Sequence, residues 1–232
     1  MSVIVLPLKP RQMPLELAHA TGFSRDELVV TPANQAAVTL VDSWPNWPAS
    51  LMVLAGPPGS GKSHLAAIWA QKTDAKVVQG DALGSAQVQR NILIDGLGEV
   101  PIDETALFHL INTVRESGGS LLITSRRWPS QWPVKLPDLI SRIKSAPTVE
   151  IAEPDDALLS GVITKLFADR QLVIEPHLVS YLVSRIERSL ATAQNVVERL
   201  DNAALEAKSR ISRQMASTVL TELDFGQKSF DL

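Results

Sequence analysis

The stretch Gly56-Pro57-Pro58-Gly59-Ser60-Gly61-Lys62-Ser63 constrains this chain more than any other. It fits the phosphate-loop pattern G-x-x-x-x-G-K-[ST] without a mismatch. Its flanks agree with that reading. Residues 51–55 form a continuous apolar run, as a strand buried on both faces requires. Residues 64–70 contain neither Gly nor Pro and read as a helix. The glycines let backbone amides turn toward a phosphate, and the helix N-terminus adds partial positive charge. In this pattern Lys62 reaches the outer phosphates and Ser63 holds Mg²⁺. The expected cofactor is ADP or ATP. Its binding run is Gly56, Pro57, Pro58, Gly59, Ser60, Gly61, Lys62 and Ser63, with His64 opening the helix.

Further apolar runs follow at 76–79, 91–95, 120–125 and 148–151, separated by helical patterns. Alternating strands and helices predict a doubly wound α/β fold with a five-stranded parallel sheet. The run at 91–95 ends in Asp95. Apolar residues leading to an acid at a strand's C-terminal end form the Walker B arrangement. The carboxylate falls where ligands of open α/β sheets sit, and it can bind Mg²⁺ directly or through water. Asp103 is a predicted helix cap, and Gly118-Gly119 a predicted helix stop. Asn34 is a predicted cap for a helix over 34–43, and the Trp44-Pro45 and Trp47-Pro48 pairs read as loop packing. Arg126-Arg127-Trp128 with Trp132 reads as a solvated loop with two anchored Trp residues. A surface for single-stranded nucleic acid is the sharper alternative.

From Pro154 to Glu222 the pattern is helical only, over roughly 155–170, 176–187, 190–208 and 212–222. The expected domains are an N-terminal tail over 1–33, an α/β nucleotide-binding domain over 34–152, and a small all-helical lid over 153–232. The lid would end in a tail at 224–232.

Composition excludes several classes. The 232 residues carry a net charge of −3, which gives no electrostatic basis for coating DNA. Zero Cys excludes disulfides and thiolate metal sites. No apolar run approaches the ~20 residues needed to span a bilayer. The first residues show no basic leader or cleavage site, so a cytoplasmic protein is expected.

Three runs carry a resemblance: Gly61-Lys62-Ser63-His64-Leu65, Leu121-Leu122-Ile123-Thr124-Ser125-Arg126, and above all Leu136-Pro137-Asp138-Leu139-Ile140-Ser141-Arg142-Ile143. Together with a phosphate-loop sheet followed by helices, they resemble the DnaA family of AAA+ ATPases. They are most similar to its shorter Hda-type members, regulators of replication initiation that inactivate DnaA. The resemblance covers roughly residues 10–222. It implies that Lys62 and Ser63 contact phosphate and Mg²⁺, and that Asp95 is the Walker B acid. It also implies that Ser125 occupies the sensor 1 position, with Thr124 as the fallback. Arg142 matches the arginine finger, which reaches a neighbour's nucleotide. Gln12-Met13-Pro14-Leu15-Glu16-Leu17 resembles the peptide by which such proteins bind the replisome's sliding clamp. Gln12 would cap a polar site while Met13, Leu15 and Leu17 fill an apolar groove.

Three departures qualify the resemblance. The family's second acid after the Walker B Asp is Gly96 here, and Glu99 is expected to lie in a loop out of reach. The sensor 2 arginine falls at Ala191, with Arg188 or Arg185 as substitutes from the preceding segment. No helix-turn-helix module follows the lid, so direct sequence-specific DNA binding is not expected. The resulting expectation is a nucleotide-binding regulator whose partners are DnaA and the sliding clamp, with homo-oligomerisation left open. An autonomous ATPase, such as a helicase loader or DNA remodeller, and a nucleotide-independent adaptor are the alternatives.

Overall fold

The computed structural model describes Arg25, residues 28–85 and residues 89–228. Helix α1 (Gln35–Asp42) and strand β1 (Leu51–Ala55) lead into α2 (Lys62–Thr73) and β2 (Lys76–Gln79). Then come β3 (Asn91–Asp95), α3 (Glu104–Glu116), β4 (Ser120–Ser125), α4 (Pro137–Ser145) and β5 (Thr148–Glu150). Beyond β5 the described residues form only helices: α5 (Asp156–Asp169), α6 (Pro176–Val183), α7 (Leu190–Ala207) and α8 (Arg213–Lys228).

The five strands lie in the order β2-β3-β4-β1-β5, and every pairing is parallel. Alternation along the strands splits the core between two faces. Leu51, Val53, Ile92, Ile94, Leu121 and Ile123 pack on one side with Leu107 and Ile111 of α3 and Leu139 and Ile143 of α4. Met52, Leu54, Leu93 and Leu122 pack on the other with Val38 of α1 and Leu65 and Trp69 of α2. Both faces are covered, so the central strands read as unbroken apolar runs. Burying each such side chain contributes about 1.5–3 kcal/mol. Edge strand β2 lacks that cover, and its Val77 is exposed. The helices after β5 build their own core, with Phe167, Leu182, Val196 and Leu200 buried together.

Local signals mostly act as expected. The Asp103 carboxylate accepts from Ala106 N at 3.0 Å and caps α3. Gly118 and Gly119 end that helix, with Gly119 N donating to Val114 O at 2.9 Å. Pro137 opens α4, where its missing N–H costs nothing. The Glu104 carboxylate accepts from Lys135 N and Leu136 N at 2.9 and 2.7 Å, fixing the approach to α4. Trp47 stacks on Trp69 at 5.1 Å between ring centroids, so the Trp-Pro loop is packing.

Four expectations need correction. Asn34 does not cap α1 with its side chain. Its Oδ1 accepts from Thr31 N and its Nδ2 donates to Val29 O, both at 2.9 Å, which ties down the segment before the helix instead. Helix α6 stops at Val183 rather than 187, because the chain must turn there to deliver Ser189 as the cap of α7. Helix α8 runs on to Lys228, so a tail beginning at 224 is wrong. Trp128 is 41% exposed, so only Trp132 of that loop's pair is anchored.

Candidate functional site

The phosphate loop joins β1 to α2 at the C-terminal end of the sheet. Gly61, at φ +95°, stands at the N-terminus of α2. Lys62 is the next residue and is buried. Its Nζ donates to Pro57 O at 2.6 Å and to Ser60 Oγ at 3.3 Å. Burial pushes the Lys62 pKa down, and the Arg126 guanidinium pushes it the same way. Glu99 and Asp95 oppose the shift without cancelling it. A desolvated ammonium with uncharged hydrogen-bond partners is a site built for an anion.

Asp95 ends β3 beside this loop. Its Oδ1 accepts from Ser63 Oγ at 2.9 Å and from Thr124 Oγ1 at 2.5 Å. The hydroxyl of Thr124 in turn accepts from Gly96 N at 2.9 Å. Ser63, Asp95 and Thr124 thus converge as hard oxygen donors, the chemistry that suits Mg²⁺. Among the described residues no group of three or more His, Cys, Asp or Glu could hold a metal by itself.

The two hydroxyls at the end of β4 part company. Register sets Ile94 beside Ile123, which brings Thr124 against Asp95. Ser125 turns away. Its Oγ donates to Leu97 O at 2.9 Å and accepts from Trp132 Nε1 at 3.0 Å and Arg127 N at 3.2 Å. One donor and two acceptor lone pairs are then all used. The fallback Thr124, not Ser125, is therefore the hydroxyl at the acid.

A cavity of about 570 Å³ opens from the phosphate loop toward the helices. Residues 59–65 and Asp95 line it on one side, and Val29, Asn34 and Ile151 on another. Leu158, Val162, Lys165, Leu166 and Asp169 of α5, with Leu190, Ala191 and Gln194 of α7, close it. The α5 residues lie at helical spacing on one face, a stripe that sequence reading left unassigned.

Helix α7 touches the phosphate loop directly. Leu190 N donates to Gly59 O at 2.8 Å. A Cβ on Gly59 would meet Ser189 Oγ at 2.1 Å, and Gly59 sits at φ +70°, so only glycine fits. Ala191 lines the cavity, as its expected position requires. Neither expected substitute faces it. Arg188 pairs with Asp156 at 2.8 Å and donates to Pro154 O, while Arg185 lies over the Tyr181 ring at 4.0 Å.

Glu99 lies in a loop, as expected, but the loop folds back. Its carboxylate reaches to 3.7 Å from where a Cβ on Gly96 would stand. Arg126 Nε is bonded to it at 2.7 Å. Arg142, on α4, stands apart from the cavity with its guanidinium over the Phe108 ring. Gln12, Met13, Leu15 and Leu17 lie outside the described residues.

No protein-family model matches the chain. An uncharacterized protein of Haemophilus influenzae is 26% identical over 182 residues, covering 71% of this chain and 79% of that protein. The chromosomal replication initiator protein DnaA of Lacticaseibacillus casei is 22% identical over 240 residues. That match takes in 90% of this chain but only 54% of the initiator, so the chain spans about half its length. Among solved structures, domain III of the Thermotoga maritima replication initiation protein DnaA superimposes with a TM-score of 0.73 at 17% identity. The match covers 86% of this chain and 96% of that domain. AMPPCP-bound DnaA from Aquifex aeolicus gives 0.67 at 18% identity, over 79% of this chain and 66% of that one. The parallel sheet and the helices behind it are thus the AAA+ fold of DnaA domain III.

Proposed function

We propose that the protein is a nucleotide-binding regulator of replication initiation that lends Arg142 to ATP held by DnaA. The reading rests first on the nucleotide site. Lys62 would take the outer phosphates of ADP or ATP, and Ser63 with Asp95 would hold Mg²⁺, which neutralises phosphate charge when bound. The buried Lys62 ammonium disfavours the rival reading of a nucleotide-independent adaptor, since burying that charge without an anion costs stability.

The observation that carries the regulatory half is the setting of Arg142. It is half-buried on the solvent side of α4 and has no ion-pair partner among the described residues. Its guanidinium rests 5.1 Å from the Phe108 ring centroid. A stacked, uncommitted guanidinium is pre-ordered for an incoming phosphate. Offered to a γ-phosphoryl group in transfer, it stabilises the developing charge, worth on the order of 10³–10⁵ in rate. The peptide Gln12–Leu17 would tether the protein to the DNA-loaded sliding clamp. Tethering raises effective concentration, so a weak direct contact with DnaA suffices.

The test is turnover of DnaA-bound ATP with clamp and DNA present. Wild-type protein is expected to accelerate it and Arg142→Ala to abolish the acceleration. Equal acceleration by the variant sinks the assignment. Clamp capture by Gln12→Ala with Leu15→Ala checks the tether separately, and undiminished capture removes it.

A further inference from the structure

Gly96 takes the place of the acid that would follow Asp95, and its φ of +77° strains any side chain mounted there. A carboxylate nevertheless stands beside that point. A Cβ on Gly96 would meet Glu99 Cδ and Oε1, each at 3.7 Å. The return loop is fixed, not incidental. Leu97 is fully buried, its N–H donates to Thr124 O at 2.9 Å, and its carbonyl accepts from Ser125 Oγ at 2.9 Å. Gly98, at φ +85°, then turns the chain so that Glu99 points back. Both anchors of the loop come from β4, the strand that also presents Thr124 to Asp95. The loop's position is therefore built into the same sheet end as the Mg²⁺ donors.

The acid does not stand alone. Arg126, the residue after β4, holds Glu99 Oε1 at 2.7 Å. The carboxylate and the guanidinium both lie close enough to Lys62 to shift its titration, in opposite directions. The ion pair engages the carboxylate oxygen and holds it toward the guanidinium, so that it is not free to turn to a substrate water.

We propose that Glu99 is the base for hydrolysis of ATP bound at this chain's own phosphate loop, and that Arg126 restrains it. In the step, a water oxygen forms a bond to the γ-phosphorus. The bond from that phosphorus to the β,γ-bridging oxygen breaks, and its electron pair leaves on ADP. The water proton passes to the Glu99 carboxylate, and phosphate departs. Glu99 is the catalytic residue and Arg126 a positioning residue. The inference rests on the nucleotide-binding half of the proposed function and is independent of Arg142.

The experiment is steady-state ATP turnover by the protein alone with Mg²⁺, at saturating nucleotide, with ATP affinity measured by titration on each variant. Arg126→Ala is expected to raise turnover about two- to fivefold, the range that an exposed ion pair can hold back. Arg126→Lys, which keeps the pair, should stay near wild type. Adding Glu99→Gln to Arg126→Ala should cancel the gain and remove the acid limb of its pH profile. Binding of ATP without a rise in Arg126→Ala overturns the role of Glu99 alone. So does a rise that survives Glu99→Gln. Failure of the wild-type protein to bind ATP overturns this inference and the nucleotide reading beneath it. Loss of DnaA stimulation in Arg142→Ala bears only on the other half.

Discussion

The Arg142 guanidinium lies over the Phe108 ring of the neighbouring helix, at 5.1 Å from its centroid. The contact joins α4 to α3 at the surface, and it orders a long side chain without neutralising it. A cation–π contact at an exposed site is worth about 0.5–1 kcal/mol. Phe108→Leu should therefore weaken stimulation of DnaA by only a few-fold, while Arg142→Ala removes it. Both variants should unfold within a few degrees of wild type. Equal loss of stimulation in the two would mean that Phe108 does more than steady the arginine.

Lys62 is held below its ordinary pKa of 10.5, chiefly by burial and then by Arg126. The sign follows from proton counting. Between the lowered native pKa and 10.5 the unfolded chain binds more protons than the folded one. Stability of the nucleotide-free protein should then rise with pH through that window. Lys62→Met deletes the buried charge at similar volume, so the free variant should melt no lower than wild type. It should also lose the pH-dependent gain and the upward melting shift that ADP or ATP gives wild type. Thermal melts with and without nucleotide, across alkaline pH, check both points. A variant that still melts higher with nucleotide would remove Lys62 from the site.

The two hydroxyls at the end of β4 should behave oppositely. Thr124→Val takes a proton donor from Asp95 and leaves Gly96 N unpaired, so Mg²⁺–nucleotide affinity should drop. Ser125→Ala leaves Leu97 O without its partner, while Trp132 Nε1 keeps only its longer bond to Arg127 O at 3.3 Å. Each stranded buried group costs about 1–3 kcal/mol, so this variant should lose stability while binding nucleotide normally. Calorimetry with Mg²⁺–ADP beside denaturant melts separates the two. The reverse pattern would assign the sensor role to Ser125 and not to Thr124.

Gly59→Ala should damage nucleotide binding and the seating of α7 together. The added methyl meets Ser189 Oγ at 2.1 Å, on a backbone already at φ +70°. Ser189→Gly in the same chain clears the clash but not the backbone strain, and losing the side-chain cap of α7 to Gly costs only about a few tenths of a kcal/mol. Partial recovery of affinity in the double variant is the expected result. Full recovery would show that the collision alone matters.

Much of the sheet could be read from the sequence because both of its faces are covered. Unbroken apolar runs such as 51–55 and 121–123 have few other uses, and the phosphate loop fixes where one strand ends and a helix begins. The side of β4 that faces the acid was not readable. Thr124 and Ser125 differ by one residue, and only the register with β3 decides between them. The return of Glu99 was hidden for a related reason. It depends on two glycines at positive φ and on Leu97 bonding to a strand far along the chain. The substitutes expected for the missing sensor 2 arginine fail locally, since Arg188 and Arg185 each find a nearer partner. The α5 wall of the cavity shows periodicity in the sequence, but periodicity does not say what a face looks at.

The bond from Leu190 N to Gly59 O has a mechanical consequence. The helical bundle is fastened directly to a turn of the phosphate loop. Its cap residue, Ser189, leaves no slack above that turn. A displacement of the Gly59 peptide would therefore bear directly on the first turn of a helix eighteen residues long.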